Sequence, residues 1–258
     1  MLALVTGASS GIGLEYAKAL AHEGYDLLIV SNQEKEIKDT AIMLHETWHV
    51  DVTPLYVDLT EDNAVNNLFD YCQEHEMEVE ILVNNAGVFF FNELVKTDPR
   101  RIDLMLDLHV KTVTRICRYF GEDMKKRGHG RIINMSSMSA WMTMPGINIY
   151  NATKAYILNF SRSLWYELKP HGVIVTAVCP GAVDTTLYGL STYWRKVAVG
   201  LGVSMPPAKL VRKALKASKR GKKQTMPGWI NHLFVPIIKH LPDWFVFAVI
   251  KRLKQFQK

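Results

Sequence analysis

Cysteine is scarce in this chain. Among 258 residues there are three, Cys72, Cys117 and Cys179, odd in number, widely spaced and without any CxxC or Cys/His ligand pattern. Neither a disulfide framework nor a zinc or other metal site is expected, and a reducing, cytoplasmic setting is. A basic leader before an apolar stretch is also missing, because the apolar run Leu2–Val5 leads straight into a glycine loop; secretion is not expected. Long apolar runs are absent too. Trp229–Lys254 is broken by Asn231, His232, Pro236, Lys239, His240, Pro242 and Asp243, so it is not expected to span a bilayer. Lying on a membrane, lining a dimer contact or covering a substrate stay open for it. Acids are almost missing from the last quarter: residues 195–258 hold 15 Lys/Arg against the single acid Asp243, which leaves 16 basic and 24 acidic residues, a net −8, over 1–194. Such a surface attracts phospholipid headgroups, an acidic carrier protein, the phosphates of a coenzyme-linked substrate or nucleic acid, and charge alone does not choose among them. No nucleic-acid reading motif accompanies it, so no specific nucleic-acid partner is expected.

What is present is a regular rhythm. Hydrophobic residues make up 48% and charged residues 22%, in the ordinary globular range, and one domain over 1–258 is the simplest organisation. Short aliphatic runs near 2–6, 26–31, 53–57, 80–84, 130–136 and 173–178 predict strands. Helical patterns near 12–22, 34–48, 61–75, 100–126 and 148–169 lie between them, with Gly24, Gly128, Gly130 and Gly172 at the returns. Strand–helix alternation predicts an α/β fold with a doubly wound parallel sheet, and strand centres as apolar as DLLIV and EILVN suit burial on both faces. After Pro180 the rhythm breaks. Residues 182–206 read as an irregular connection, with 186–206 a substrate loop; then come a helix near 207–219, a short strand near Gln224–Met226 and a basic, aromatic extension over 229–258 with helical character.

The loop Thr6-Gly7-Ala8-Ser9-Ser10-Gly11-Ile12-Gly13 follows the first strand and opens the first helix. Glycines in that position let the backbone turn tightly and approach a pyrophosphate, whose charge the helix N-terminus stabilises. The second strand ends in Val30-Ser31-Asn32-Gln33, where dinucleotide folds often carry an acid for the adenosine ribose. No carboxylate is there to repel a 2′-phosphate and no arginine to bind one, which leans toward NADP while leaving NAD open. Asp58, followed by Leu59 at the end of the third strand, either meets the adenine or caps a helix beginning near Glu61.

Tyr150 and Lys154 stand at i and i+4 of a predicted helix, on one face. A free tyrosine has a pKa of about 10, and a nearby cation favours its phenolate, bringing it toward the range where it exchanges protons near neutrality. Ser137, at the end of the strand 130–136, is placed to hydrogen-bond a carbonyl beside that phenol.

Taken together, the TGxxxGxG loop at Thr6–Gly13, the NNAG segment at Asn84–Gly87, Ser137, the YxxxK pair Tyr150 and Lys154, and Pro180-Gly181 with Thr185 resemble the classical short-chain dehydrogenase/reductase family over about residues 2–190. The resemblance implies a Rossmann-like fold and an oxidoreductase that interconverts a carbonyl compound and an alcohol with NAD or NADP. In it Tyr150 is the general acid/base, Ser137 orients the carbonyl, and Lys154 tunes the tyrosine and binds ribose. It further implies a cofactor bordered by Gly7, Ser9, Ser10, Gly11, Ile12, Gly13, Ser31, Asn32, Asp58, Leu59, Asn85, Ala86, Gly87, Pro180, Gly181, Val183 and Thr185. A homodimer or homotetramer built on the helices 100–126 and 148–169 is also implied. The Lys219–Lys223 stretch, the Pro227-Gly228 turn and the basic tail are most similar to a bacterial branch near ketoacyl reductases and hydroxysteroid dehydrogenases.

One position departs from the family. Where an asparagine usually supports a water relay to the lysine, this chain reads Leu108-His109-Val110-Lys111. His109 could relay protons in its place, or it could be a satisfied core histidine on the apolar stripe Met105, Leu106, Val113 and Ile116. Large apolar residues near the site, Phe89, Trp141, Met142, Tyr188 and Trp194 among them, predict a bulky apolar substrate, ketoacyl or steroid-like; core packing is the alternative for at least half of them. The replaced asparagine is the one sequence feature favouring a non-catalytic, cofactor-binding regulatory or membrane-surface protein.

Overall fold

The structure is a computed structural model that describes residues 1–183, 204–228, 231, 235–236 and 242–253. Its strands are β1 Leu2–Thr6, β2 Asp26–Ser31, β3 Val52–Tyr56, β4 Val79–Asn84, β5 Gly130–Met135, β6 Val173–Val178, β7 Ala182–Val183, β8 Ser204–Met205 and β9 Gln224–Thr225. Seven of them form one sheet in the order β3-β2-β1-β4-β5-β6-β9, with every pairing parallel. The helices are α1 Gly11–His22, α2 Glu34–Trp48, α3 Ala64–Glu74, α4 Pro99–Leu106, α5 Val113–Arg127, α6 Asn148–Leu168, α7 Pro207–Lys219 and α8 Asp243–Leu253.

Successive strand residues face opposite sides, so each strand feeds two cores. Ala3, Val5, Leu27, Ile29, Ile81 and Val83 pack under α1, α2 and α7 with Tyr16, Leu20, Ile37 and Leu210. Leu4, Leu28, Val30 and Leu82 pack on the other face with Leu68, Ile116, Phe120 and Met124. A continuous apolar strand is what two covered faces require. Local signals set the ends of the helices: Pro99 opens α4 while the Asp98 carboxylate accepts from the Arg100 N–H, and α5 stops at Gly128, whose left-handed φ of 79° a side chain would oppose.

Three expectations need correction. The helix expected at 100–126 spans 99–127 but is interrupted by a π-helical turn, Asp107–Thr112, between α4 and α5. Periodicity cannot reveal such a turn, since it adds only part of one residue per turn to an otherwise helical pattern. The helix expected from residue 61 begins at Ala64, because Asp58 closes a turn first: its carboxylate accepts from the Thr60 N–H at 3.0 Å and the Thr60 hydroxyl at 2.7 Å. The connection expected to be irregular over 182–206 has regular ends, with β7 and β8 pairing in parallel. No helix among the described residues is long and apolar enough to cross a membrane.

The chain leaves β1 toward β2 and leaves β4 toward β5, in opposite directions along the sheet. Between the C-terminal ends of these two strands lies the crevice where open parallel sheets bind ligands.

Candidate active site

A cleft of about 380 Å³ opens there. Gly7, Ser9, Ser10, Gly11 and Ile12 line it from the first loop, and Ser31, Asn32, Asp58 and Leu59 from the ends of β2 and β3. Asn85, Ala86 and Gly87 enter after β4, and Pro180, Gly181 and Val183 after β6. Ser137, Tyr150, Lys154 and His109 complete it. Gly13 does not line the cleft and acts from behind it: a Cβ there would stand 2.0 Å from the Gly7 carbonyl oxygen and 2.6 Å from the Asn85 side-chain nitrogen. Thr185, Tyr188 and Trp194 lie outside the described residues.

The loop is held open by its neighbours. Gly7, at a φ of 65°, donates its N–H to Val30 at 2.8 Å, and the Asn85 amide donates to the carbonyls of Thr6 and Gly7 at 3.1 and 3.2 Å. The Thr6 hydroxyl receives the N–H groups of Asn85 and Ala86 at 3.0 and 3.1 Å, which binds β1 to the NNAG turn. At the far end the Ser9 hydroxyl meets the Ser31 hydroxyl at 2.9 Å and donates to Gln33 at 2.7 Å, forming an uncharged corner of hydroxyls and amides. This glycine-walled, positive-φ loop at the N-terminus of α1 fits the diphosphate of a dinucleotide.

The side chains expected to react stand where β5 and α6 meet. Tyr150 is buried, with Phe89 edge-on at 5.0 Å between ring centroids. Lys154 is buried with it; its ammonium lies 5.4 Å from the Tyr150 ring centroid and donates to the Met135 carbonyl at 3.0 Å. Burial pushes the Lys154 pKa down to about 8, partly offset by the neighbouring Cys179. The Ser136 hydroxyl donates to the Lys154 carbonyl at 2.7 Å, pinning α6 to the end of β5. Ser137 accepts the Ser139 N–H at 3.1 Å, which directs its own proton away from the backbone. The Met138 N–H donates to the Pro180 carbonyl at 2.8 Å, which joins the serine turn to the turn after β6.

His109 sits in the π-helical turn with no exposed surface. Nε2 accepts the Val88 N–H at 3.1 Å, which leaves the proton on Nδ1, 3.0 Å from the Thr153 hydroxyl. Thr153 in turn donates to the Tyr150 carbonyl at 2.9 Å. Burial, and then the Lys154 charge, hold the imidazole pKa well below 6.5, so the ring is neutral. Both nitrogens are engaged, and they tie the strand exit at Val88 to the helix that carries Tyr150. Gly87 makes room for the ring, since a Cβ there would come 2.9 Å from Nε2.

Among the expected pocket residues, Phe89 faces Tyr150, whereas Trp141 packs beside Leu158, Ala177 and Cys179 in a small core cluster. Met142 is half-buried just after that turn and does not line the cleft. Sequence reading passed over Met135, whose carbonyl holds the lysine, and Thr153, which links His109 to Tyr150. A carbonyl carries no side-chain signal, and a threonine inside a YxxxK helix looks like spacer. Leu104 and Leu108 also reach the cleft, through the unforeseen π turn.

A family model described as short chain dehydrogenase matches residues 1–195. The chain is 34% identical over 187 residues to Probable oxidoreductase EphD of Mycobacterium tuberculosis, covering 72% of this chain; it spans 31% of that relative's length. With the very-long-chain 3-oxoacyl-CoA reductase of Rattus norvegicus it shares 29% identity over 255 residues, 96% of this chain and 78% of the rat protein. A short-chain dehydrogenase from Sphingobium yanoikuyae in complex with NADPH superposes with a TM-score of 0.80 at 29% identity, covering 100% of this chain and 96% of the other. The bulky-bulky ketone specific alcohol dehydrogenase from Comamonas testosteroni gives 0.78 at 28%, covering 100% and 94%.

Proposed function

The chain belongs to the short chain dehydrogenase family; we propose that it is an oxidoreductase that interconverts a bulky apolar ketone and its secondary alcohol, with Tyr150, Ser137 and Lys154 performing the proton chemistry. The observation that carries this reading is the pairing of a buried ammonium with a buried phenol, 5.4 Å from its ring centroid, at the mouth of a glycine-walled dinucleotide cleft. Enzymes of this family use NAD or NADP, and when bound the nicotinamide supplies the hydride for reduction or takes it up in oxidation.

The chain's own residues do the rest. Ser137 donates a hydrogen bond to the ketone oxygen and fixes its direction. As the carbonyl carbon is reduced, the Tyr150 phenol gives its proton to that oxygen and becomes phenolate; oxidation runs the same transfer backward. Lys154 stabilises the phenolate charge, and the Met135 carbonyl and Ser136 hydroxyl hold its position. Phe89 packs edge-on against the phenol ring. His109, neutral and doubly bonded, acts as a strut between Val88 and α6 and leaves proton delivery to other groups. The acid-free Ser31-Asn32-Gln33 corner favours NADP, as does the likeness to an enzyme solved with NADPH.

Likeness to a bulky-ketone dehydrogenase and to a 3-oxoacyl-CoA reductase supports a large apolar substrate. A homodimer or homotetramer through α5 and α6 belongs to the same proposal; Tyr166 of α6 is 60% exposed. The test is NADPH oxidation with a ketone panel, wild type against Tyr150→Phe. Bulky ketones should turn over, and the variant should lose about 10²–10⁴-fold in kcat while still binding NADPH. Turnover that survives Tyr150→Phe overturns the mechanism, and a panel in which only small polyols react overturns the substrate class.

A further inference from the structure

At the β9 edge of the sheet four cations stand together without a counter-charge among the described residues. Lys213, Lys216 and Arg220 recur at i, i+3 and i+7 on the exposed side of α7, whose opposite side buries Leu210, Val211, Ala214 and Leu215. Lys222 follows in the turn into β9, and with Thr225 and Met226 these residues border an open groove of about 360 Å³. No carboxylate lines it among the described residues. None of the four side chains has an ion pair among the described residues, although adjacent Lys219 is paired with Glu23 at 2.7 Å. Like charges held this close repel one another, and an anion seated among them relieves that repulsion. A basic helix face can also simply be solvated, so position decides.

Thr225 pairs with Val178, and Val178 pairs with Met135, the last residue of β5 before Ser136 and Ser137. The floor of the groove therefore lies two strand spacings, about 10 Å, from the strand end that presents the serine. It lies on the side of β5 away from β1 and the glycine loop. Met226 joins the two places: it borders the groove and packs in the cluster of Ala140 and Trp141, in the turn that follows Ser137. The Thr225–Met226 end of the groove thus faces the substrate end of the cleft, while the Lys222 carbonyl accepts from the Thr176 hydroxyl farther down β6, and a polyanion along the groove would be an extension of the substrate rather than part of the dinucleotide.

We propose that this groove anchors the phosphates of the substrate's carrier, so that the ketone is a 3-oxoacyl thioester of coenzyme A type, its acyl chain in the apolar site and its phosphates on Lys213, Lys216, Arg220 and Lys222. The guanidinium offers a two-pronged contact to a phosphate and the lysines act as point charges. This rests on the ketone-reducing reading and narrows it, because a steroid carries no such handle.

The test compares a 3-oxoacyl-CoA with the same 3-oxoacyl group on N-acetylcysteamine, which keeps the thioester and lacks phosphate. The variant is Lys213→Glu/Lys216→Glu/Arg220→Glu, with Lys125→Glu, an exposed lysine in the last turn of α5, as control. The triple variant should raise KM for the CoA ester about 10- to 100-fold and leave its kcat, and both constants for the small thioester, unchanged. Titration of coenzyme A alone should show binding to wild type that weakens with salt and vanishes in the triple variant. Equal KM values for the two esters in wild type, or a triple variant that shifts neither KM nor coenzyme A binding, overturns the proposal. So does a triple variant that loses sedimentation with anionic phospholipid vesicles while keeping its KM for the CoA ester, since the groove then serves a lipid surface. If no ketone is reduced in a Tyr150-dependent way, the ketone reading fails, and the coenzyme A titration alone still decides the groove.

Discussion

On the β1–β4 side the wall of the cleft is mostly backbone: Gly7 and Gly11 at positive φ, the first N–H groups of α1, and amides and hydroxyls without charge. On the β5–α6 side the wall is made of buried side chains, each held by a main-chain group: Lys154 by the Met135 carbonyl, Ser137 by the N–H of Ser139 in its own turn, and His109, from the π-helical turn, by the Val88 N–H. The first arrangement tolerates change wherever the backbone path is kept. The second places ionisable groups out of water, where a single lost partner alters charge as well as position. Binding and chemistry should therefore fail separately when each side is damaged.

The sharpest break should come from Lys154→Met, which keeps the volume and removes the charge. A fall in kcat of about 10²–10⁴-fold is expected from steady-state kinetics, with a smaller loss of NADPH affinity in a fluorescence titration because the same ammonium is expected to bind ribose. Because the ammonium has a pKa of about 8, wild-type reduction should decline as pH rises through that value, and the variant should lack this limb. An unchanged pH profile in the variant would assign the limb to another group.

Gly13→Ala tests the other side. Its methyl would meet the Gly7 carbonyl oxygen at 2.0 Å, and backbone cannot step aside as a flexible side chain can. A stability loss of about 1–3 kcal/mol by denaturant melt is expected, together with weakened NADPH binding. Normal affinity in the variant would mean that the loop is not the diphosphate seat.

His109 links the two sides and sets the smallest effect. His109→Ala strands the Val88 N–H, costing about 1–3 kcal/mol, and should lower kcat more than KM, while His109→Asn restores an acceptor and most of the turnover. The pH dependence of stability separates a neutral strut from a proton carrier. The native ring refuses a proton that the unfolded chain accepts below about 6.5, so wild-type stability should fall as pH drops below that value toward the lower native pKa. Thermal melts at pH 7 and pH 5 should show the drop in wild type and a smaller one in His109→Asn; equal drops would remove the neutral-strut reading.

Most of the fold was legible because its signals are local and redundant. Apolar runs such as Asp26–Ser31 fit only strands covered on both sides, and the glycine loop named both the first turn and the crevice above it. The Tyr150–Lys154 spacing put a phenol and an amine on one helix face. Less legible was the π turn at Asp107–Thr112, which periodicity averages away. Trp141 was also misleading, since an aromatic residue close in sequence to Ser137 turns toward the core cluster at Leu158 and Cys179. The basic last quarter announced a charge without an address.

By itself the sequence determined the layered sheet, the glycine loop, the placing of Tyr150 and Lys154 on one helix face and the sign of the terminal charge, because each is written in residue type and short-range spacing. Only the tertiary structure decided which nitrogen of His109 carries the proton, which carbonyl holds Lys154, and that Lys213, Lys216 and Arg220 share a groove with Met226 beside the serine turn. Those relations join residues that are distant along the chain, and only the closed fold, through burial and hydrogen-bond geometry, brings them within reach of one another.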